Sequence, residues 1–264
     1  MVRNHSAIFG LLLLAPACAF AQSDLGDRFS ISLGAFITDR DTDARLDSAG
    51  LGTGTDIDFE SDLGLESSES IARLDGYYRF NKKHRVNFSV FDLSRDSSAT
   101  LAGDIQFGET IFAVDSIINL EFDITIVKLA YTYSFFQRDN SYVGVTVGAY
   151  IADVNIGLAE QNLGQNEIGE ITAPLPVLGL RGEYDFADRW RLSASGEFFA
   201  VEFDNVDGAL VDLYLGIDYR FTEHVAIGLG YNAVNLDVDA TKNDFSGKLD
   251  WEYGGVLLFF KFDF

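Results

Sequence analysis

The last eight residues constrain the fold of this chain more than any other segment. In an extended strand they place Leu258, Phe260, Phe262 and Phe264 on one face, because successive side chains of a strand point to opposite faces. A terminal strand with a wholly apolar face and an unpaired edge would aggregate in water. It needs a partner strand and an apolar solvent, and a closed barrel in a bilayer supplies both.

The amino-terminal residues predict export. A short polar start with Arg3 precedes an apolar stretch over residues 7–17, and Ala19-Phe20-Ala21 has the small-x-small pattern of a cleavage site. We therefore expect residues 1–21 to be a signal peptide and residues 22–264 to be an outer-membrane β-barrel.

Cys18 is the only cysteine of the chain. Acylation at Cys18 is the alternative to simple cleavage, because the residues before it loosely resemble a lipobox, although Pro16 and the early position of Leu14 disfavour it. In either case no cysteine is left for a disulfide, a thiolate metal site or cysteine catalysis.

Composition supports a membrane protein without membrane helices. Hydrophobic residues make up 47% of the chain and aromatic residues 14%, yet no apolar run after the signal approaches the ~20 residues that a membrane helix needs. Without Arg3, 18 basic residues stand against 41 acidic ones, a net charge of −23. Nucleic acid is therefore excluded as a partner, since phosphate contacts need a basic surface.

Alternating apolar and polar residues predict an all-β fold, an antiparallel up-and-down transmembrane barrel of about ten strands. Eight strands would result if two weak segments are loops, and twelve if residues 99–114 form a further hairpin. Short turns alternate with longer connections, which places both termini in the periplasm of a Gram-negative cell. The predicted strands cover residues 27–38, 71–80, 85–95, 118–136, 142–152, 175–186, 190–201, 209–221, 225–236 and 251–264.

The strand faces indicate an apolar outside and a polar inside. Two strands break this phase: Val90 gives way to Phe91 in the third, and Ile126 to Val127 in the fourth. We expect a β-bulge in each, unless the outer half of the fourth strand projects beyond the bilayer. Aromatic residues repeat beside the short turns, as in 78–80, and predict a girdle at the periplasmic interface. The predicted lipid-facing sets are Phe29, Ile31, Leu33, Ala35 and Ile37; Val143, Val145, Val147, Ala149 and Ile151; and Val211, Leu213, Leu215, Ile217, Tyr219 and Phe221.

Inward positions predict a lumen of balanced charge, with seven basic and seven acidic residues. Paired charges that fill the lumen as a plug are one interpretation. A narrow water-filled channel is the other, because Gly144, Gly148, Gly216, Gly228 and Gly230 leave space on the same face. The predicted charge network consists of Arg73, Asp75, Arg79, Lys128, Arg181, Glu183, Asp185, Arg191, Glu197, Asp212, Asp218, Arg220, Lys261 and Asp263.

The first long connection, residues 39–70, contains ten acidic residues. Asp56, Asp58, Glu60 and Asp62 recur at every second position, and such oxygen ligands suit Ca²⁺ or Mg²⁺. The complete signature of a calcium loop is absent, so a solvated acidic rim is the alternative. We expect no other cofactor.

Catalysis is not predicted. Barrel enzymes of the outer membrane generally depend on a histidine as acid or base. The two histidines of the mature chain, His84 and His224, fall in predicted periplasmic turns. No catalytic residue is therefore assigned, and a site made of loop carboxylates alone stays an open alternative.

The chain resembles small bacterial outer-membrane β-barrels of the OmpA/OmpW type in the broad sense. Residues 55–65 and 74–85 are similar to a group of proteobacterial outer-membrane proteins, and this resemblance implies architecture and location but no activity. The ending resembles the signal that the barrel-assembly machinery reads, which implies an assembly role for Phe260, Phe262 and Phe264. Outer-membrane lipid and lipopolysaccharide are the other expected partners.

These observations predict an integral outer-membrane barrel with a structural role, or a narrow cation-favouring passive pore for small solutes. The alternative is a surface-exposed protein whose acidic loops bind a ligand, a divalent cation or a partner. An outer-membrane enzyme is the third and least favoured interpretation.

Overall fold

The computed structural model describes residues 27–48, 50–162, 164–203, 206–242 and 245–264. The predicted signal peptide, residues 1–21, and Cys18 lie outside these residues. Within the described ranges, no helix is long and apolar enough to cross a membrane.

Antiparallel strands make up most of the described chain. They are β1 (Phe29–Leu46), β2 (Ile57–Asp58), β3 (Ser68–Asn81), β4 (His84–Thr100), β5 (Ile105–Phe107), β6 (Thr110–Phe112), β7 (Ile117–Arg138), β8 (Ser141–Glu160), β9 (Asn166–Ala187), β10 (Trp190–Phe203), β11 (Val206–Arg220), β12 (Val225–Lys242) and β13 (Phe245–Asp263). Ten of them are long, and β13 pairs back with β1 from Ser30↔Asp263 to Leu46↔Gly247. The described sheet is thus a closed ten-stranded barrel, and the predicted strand number is confirmed.

All four predicted short turns lie at one end of the barrel, which we call the turn end. They join β3 to β4, β7 to β8, β9 to β10 and β11 to β12. The start of β1 and the last residue meet at the same end, where the Phe264 amide donates to the Phe29 carbonyl at 2.8 Å. The opposite end, where the other connections leave the strands, is the loop end.

At the loop end the strands continue beyond their predicted boundaries. β8 ends at Glu160 and β9 begins at Asn166, while β12 reaches Lys242 and β13 begins at Phe245. Long connections were predicted there, and that part of the prediction is wrong. β7 and β9 have 22 residues each, whereas a tilted strand crosses the bilayer with ~9–11. About half of the barrel wall therefore lies outside the bilayer.

A belt of exposed apolar side chains surrounds the turn-end half of the barrel, as the predicted lipid-facing sets require. On β7 the outward residues from Val127 to Phe135 are all aliphatic or aromatic. Nine residues at ~3.3 Å each, tilted by ~40°, span roughly 23 Å. This height is close to the ~25 Å apolar band of outer-membrane barrels.

At the loop end the apolar side chains point into the barrel and the polar ones point out, the reverse of the arrangement in the bilayer. The alternation along each strand is nevertheless unbroken. On β7, Leu120, Phe122 and Ile124 point into the barrel and Glu121 and Asp123 point out. The pairing of β4 with β7 keeps one register along its whole length, and that of β7 with β8 shifts only near the turn. The β-bulges predicted in β4 and β7 are therefore wrong. The residues that seemed out of phase line the interior of the barrel beyond the bilayer.

Aromatic rings form a chain around the turn end. The Trp190 ring lies 6.4 Å from Phe186 and 4.9 Å from Tyr219, and Tyr219 lies 5.2 Å from Phe221. Amphipathic rings favour the level of the lipid headgroups. The rings therefore mark one membrane boundary, as the sequence repeats predict.

Candidate functional site

A connected polar network crosses the middle of the lumen. Lys128 on β7 forms ion pairs with Glu197 on β10 and with Asp212 on β11, the latter at 3.3 Å. Asn232 donates to Asp212 and accepts from Arg73 on β3. Because these strands lie on different sides of the barrel, their side chains meet across the lumen and occupy its cross-section.

A second network lies nearer the turn end. The Arg85 guanidinium donates to Glu183 at 2.8 Å and lies 4.4 Å from the Tyr77 ring and 4.9 Å from the Tyr142 ring. Arg191 also pairs with Glu183, at 3.6 Å. Arg85 is only 3% exposed, so its positive charge is balanced by the carboxylate and the two π faces.

The structure brings the predicted luminal residues together. Ion pairs join these residues within and between strands, and Arg79 also lies over the Tyr77 and Tyr142 rings at 5.4 and 5.9 Å. Sequence reasoning missed Arg85, although it shares the inward phase of Asn87 and Ser89. It also missed the tyrosines and Asn232, because uncharged inward residues carried no signal of their own.

The inward glycines do not leave an open channel. A Cβ on Gly216 or on Gly230 would overlap the Tyr214 side chain, and a Cβ on Gly228 would overlap the Phe259 ring. The Tyr214 ring therefore lies over the bare backbone of its own strand and of β12, and the Phe259 ring lies over that of β12. A Cβ on Gly144 or on Gly148 would overlap atoms of the neighbouring β7, so little space is left there as well.

A polar cavity of about 120 Å³ remains between the two networks; we call it the chamber. Five serines contribute to its wall, together with charged residues of both networks. Glu183 lines both the chamber and a wider vestibule of about 780 Å³ that surrounds the turn-end mouth. The side chains named here are Ser30, Ser32, Ser89, Ser193 and Ser195.

An apolar core closes the lumen above the networks. The Tyr253 ring lies 5.8 Å from the Phe36 ring and 5.9 Å from the Phe91 ring, and the Arg73 guanidinium lies 5.7 Å from both phenylalanine rings. Further toward the loop end, residues 55–66 fold back into the barrel. Four of their side chains are at most 4% exposed, namely Ile57, Phe59, Leu63 and Leu65.

A hairpin of β5 and β6 covers this core at the loop end. Its Phe107 and Phe112 side chains are buried, and the Gly108 amide donates to the Leu46 carbonyl at 3.0 Å. The Glu109 carboxylate accepts from Ser48 at 2.7 Å. Across the described residues, side chains fill the lumen from the first network to this hairpin, apart from an apolar cavity of about 40 Å³ beside Phe107.

Polar contacts anchor the inserted segment. The Glu60 carboxylate accepts from the Thr42 amide at 2.9 Å, from the Thr42 hydroxyl at 3.1 Å and from Arg95 at 2.8 Å. Arg40 is buried beside them and pairs with Glu69 at 3.5 Å. Burial, and then the charge of Arg95, lower the pKa of Arg40 to about 10.

The four acids predicted to bind a metal do not point the same way. Asp56 pairs with Arg45 at 3.2 Å, and the Asp62 carboxylate accepts from the Asp58 amide at 3.2 Å. Extended backbone covers only Ile57–Asp58, and residues 59–62 turn. A group that the prediction did not contain comes together instead: ligand atoms of Asp41, Asp58 and Glu60 lie within 4.8 Å of one another.

Acidic residues face each other across the outer wall at the loop end. Asp58, Asp43, Asp250 and Asp237 are successive cross-strand partners on β2, β1, β13 and β12. In the next row Asp41 pairs with Glu252. We call these six residues the acid ladder. Like charges placed directly opposite each other destabilise a sheet by roughly 0.2–1 kcal/mol per pair.

The ladder alters the titration of its members. Partial burial and the neighbouring charges, of which Asp58 is the largest, raise the pKa of Asp43. Burial and then Asp237 raise the pKa of Asp250. Both shifts mean that the ionised ladder is held together against its own repulsion by the fold.

The remaining predicted residues lie at the turn end. His84 contacts the Tyr131 hydroxyl, and the His224 ring stacks on Phe264 at 6.3 Å while Nδ1 contacts the Asp263 carbonyl at 2.9 Å. Phe260 and Phe262 on β13, and Phe264 directly after it, have exposed side chains, and their role in assembly stays a prediction.

Comparisons with known proteins give the fold. No known protein family and no curated protein matches the chain. The structure of the outer membrane protease OmpT of Escherichia coli is similar to this one, with a TM-score of 0.60 and 10% sequence identity. The similarity covers 89% of this chain and 96% of the OmpT chain. Ail, the attachment invasion locus protein of Yersinia pestis, and OprG of Pseudomonas aeruginosa give TM-scores of 0.36. Ail covers 89% of this chain and 99% of its own at 13% identity, and OprG covers 92% and 99% at 12%.

The closed sheet, its apolar belt and the aromatic chain define an integral outer-membrane β-barrel protein of the Gram-negative type. At 10% identity the similarity to OmpT shows a shared barrel fold and leaves activity and ligand to be argued from this chain's own residues.

Proposed function

We propose that this protein is a closed barrel that does not conduct ions and that uses its loop end as a cell-surface binding wall for a cationic partner. In this proposal the turn end and both termini face the periplasm and the loop end faces outward. Short turns on the inside and larger projections on the outside are the usual arrangement of such barrels.

Charge is distributed in support of this orientation. The loop-end segments 38–69, 92–125, 152–175, 202–209 and 235–252 contain 29 acidic and 5 basic residues, a net charge of −24. The rest of the mature chain contains 12 acidic and 13 basic residues. Nearly all of the excess charge thus lies on one end of the barrel, where it concentrates cations and repels anions.

The acid ladder is the observation that carries the proposal. The row of Asp58, Asp43, Asp250 and Asp237 places four carboxylates on four neighbouring strands. Because neighbouring strands are ~4.8 Å apart, this row is roughly 14 Å long. A single metal ion needs all its ligands within a few ångströms of one another. A row of this length is better matched by an extended polymer that carries several positive charges. A lysine- or arginine-rich peptide segment is therefore the partner chemistry that fits.

Two features of the lumen favour a binding role over a pore. The charge networks occupy the cross-section in the bilayer, and the apolar core with its inserted segment closes the loop end. We expect no discrete cation-favouring current from the purified protein in planar bilayers. A reproducible current would overturn the closed-barrel part of the proposal and favour a narrow cation pore.

An enzyme is not proposed. OmpT is described as a protease, but both described histidines of this chain, His84 and His224, lie at the turn end. A bound divalent cation at Asp41, Asp58 and Glu60 is not part of the proposal either, because Glu60 already accepts three hydrogen bonds from Thr42 and Arg95.

Binding of a fluorescent decalysine peptide to the protein in neutral lipid vesicles tests the binding wall. The triple variant Asp43→Asn/Asp237→Asn/Asp250→Asn removes three ladder charges. Its matched control, Asp92→Asn/Asp123→Asn/Asp153→Asn, removes three exposed loop-end charges from β4, β7 and β8. At ~0.5–1 kcal/mol per charge, the ladder variant should bind roughly 10- to 100-fold more weakly.

The control should lose no more than about threefold. Equal losses in both variants would show a general attraction to negative charge and would refute a ladder-specific site. Unchanged binding in the ladder variant would refute it as well.

A further inference from the structure

An open groove of about 940 Å³ crosses the outer wall of the barrel where β11, β12, β13 and β1 lie side by side. Its floor is low because Ala233 and Gly254, which are cross-strand partners on β12 and β13, carry little or no side chain. Leu213 on β11 and Ile37 on β1 are larger apolar side chains at its two sides. We call this feature the boundary groove.

The boundary groove lies where the outward face of the wall changes from apolar to acidic. On β1 the last apolar outward residue is Ile37, and Asp39 is the next outward residue toward the loop end. On β13 Val256 lies on the turn-end side of Gly254, and Glu252 lies on its loop-end side. The groove therefore has an apolar lower part at the edge of the membrane-spanning belt and an acidic upper rim.

An aromatic ring borders the floor. The Tyr231 side chain is 54% exposed, and a Cβ on Gly254 would lie 3.0 Å from the Tyr231 hydroxyl oxygen. The ring thus leans from β12 toward the floor of the groove. A tyrosine ring packs against another aromatic or apolar side chain and attracts a cation.

The boundary groove is continuous with the acid ladder. Asp41 and Glu252 belong to the ladder and also line the groove, where Asp39 adds a third carboxylate. Arg40, between the two aspartates, has a buried side chain that pairs with Glu69. The positive charge of Arg40 is thus directed away from the outer surface, and the rim presents carboxylates to a partner.

Charge and shape together select the occupant of the groove. The carboxylates of the rim repel phosphate-bearing lipid head groups. A symmetric contact with a second copy of the chain would bring the same carboxylates against each other. A segment with several lysines or arginines matches the rim, and an apolar side chain of that segment loses its contact with water on the floor.

We propose that the boundary groove is the apolar anchor site of the binding wall and that the partner is an amphipathic cationic peptide segment. Its lysines or arginines would pair with the carboxylates, while one large apolar side chain would lie on Ala233 and Gly254 beside the Tyr231 ring. This inference rests on the proposed binding function and specifies the partner further. Burial of such an apolar side chain corresponds to roughly 10- to 100-fold in affinity.

Two fluorescent peptides of equal charge test the anchor site, namely decalysine and a peptide with one tryptophan between two runs of five lysines. Both are titrated against the protein in neutral lipid vesicles, and binding to protein-free vesicles is subtracted. The tryptophan peptide should bind at least roughly tenfold more tightly. Ala233→Leu fills the floor and should remove this preference while the affinity for decalysine stays the same. The matched control Ala149→Leu, on the lipid-facing side of β8, should keep the preference.

Gly254→Ala is a second filling variant if Ala233→Leu does not fold, because the new methyl group first meets the flexible end of Tyr231. The ladder triple variant separates this proposal from the proposed function. Unchanged binding of decalysine to that variant would refute the binding wall, and the anchor site with it.

Three results would overturn the anchor site while the binding wall stands. The tryptophan peptide could show no preference over decalysine, or it could keep its preference in both filling variants. Either result would mean that bilayer lipid covers the groove. The third is a barrel dimer in neutral detergent that Ala233→Leu dissociates, which would make a second copy of the chain the occupant.

Discussion

The insertion of residues 55–66 into the barrel predicts how much two buried phenylalanines contribute to the free energy of unfolding. The Phe59 and Phe122 rings are fully buried and meet edge to face, with centroids 5.8 Å apart. Arg95 lies over the Phe122 ring at 5.0 Å. Truncating a buried phenylalanine to alanine costs ~3–5 kcal/mol, and an aromatic pair contributes ~0.5–1.5 kcal/mol beyond its buried area.

We therefore expect Phe59→Ala and Phe122→Ala each to lower the free energy of unfolding by about 3–5 kcal/mol. The double variant should fall short of the sum by about 0.5–1.5 kcal/mol. Asp123→Ala, next to Phe122 but exposed, should change stability by no more than about 0.5 kcal/mol. Phe59 is the critical position because sequence reasoning placed it in a solvated loop.

Urea unfolding in lipid vesicles provides the measurement. Trp251 is 1% exposed within the apolar core, whereas Trp190 is 41% exposed in the aromatic chain. A Trp190→Phe background leaves Trp251 as the single fluorescent reporter of the core. A cost below about 1 kcal/mol for Phe59→Ala, together with no coupling to Phe122, would refute the insertion of residues 55–66.

Three further predictions concern the ladder, the lumen and the glycines. Burial and then the neighbouring carboxylates raise the pKa values of Asp43 and Asp250 on folding. Ionisation of these two groups therefore lowers stability above the folded pKa, and this loss disappears as pH falls below their ordinary pKa of 3.8. Asp43→Asn should therefore stabilise the protein at pH 7 by a few tenths of a kcal/mol at low salt, and a denaturation series should show this gain vanishing near pH 3. Lys128→Met leaves Glu197 and Asp212 buried beside each other and should cost about 3–5 kcal/mol; a loss below about 1 kcal/mol in urea unfolding would contradict the network. Gly228→Ala must displace the Phe259 ring and should cost about 1–3 kcal/mol of stability. Its control, Gly157→Ala, meets only ordinary contacts near Glu121. Equal melting temperatures of the two variants would argue against a filled lumen.

The sequence by itself determined the barrel, because period-2 alternation and turn residues are local properties of the chain. The outward sets such as Val143–Ile151 and the closing strand at Phe264 follow from the pleat alone. The inward charges followed for the same reason, since a charge opposite an apolar face has to point into the lumen. Arg85 could have been found in this way from the phase of its strand.

Only the tertiary structure decided where the bilayer ends and what fills the barrel. The apolar residues Leu120, Phe122 and Ile124 read as lipid-facing in isolation, because alternation identifies two faces without saying which one meets lipid. The structure shows that their face is the interior, because β7 pairs with β4 and β8 in one unbroken register from these residues past Lys128, which points into the lumen. Phe59 is buried for a related reason, since its neighbours in the core come from strands distant in sequence. The acid ladder likewise depends on the register between β1, β13 and β12, and cross-strand register is set by closure of the whole sheet and not by any one strand.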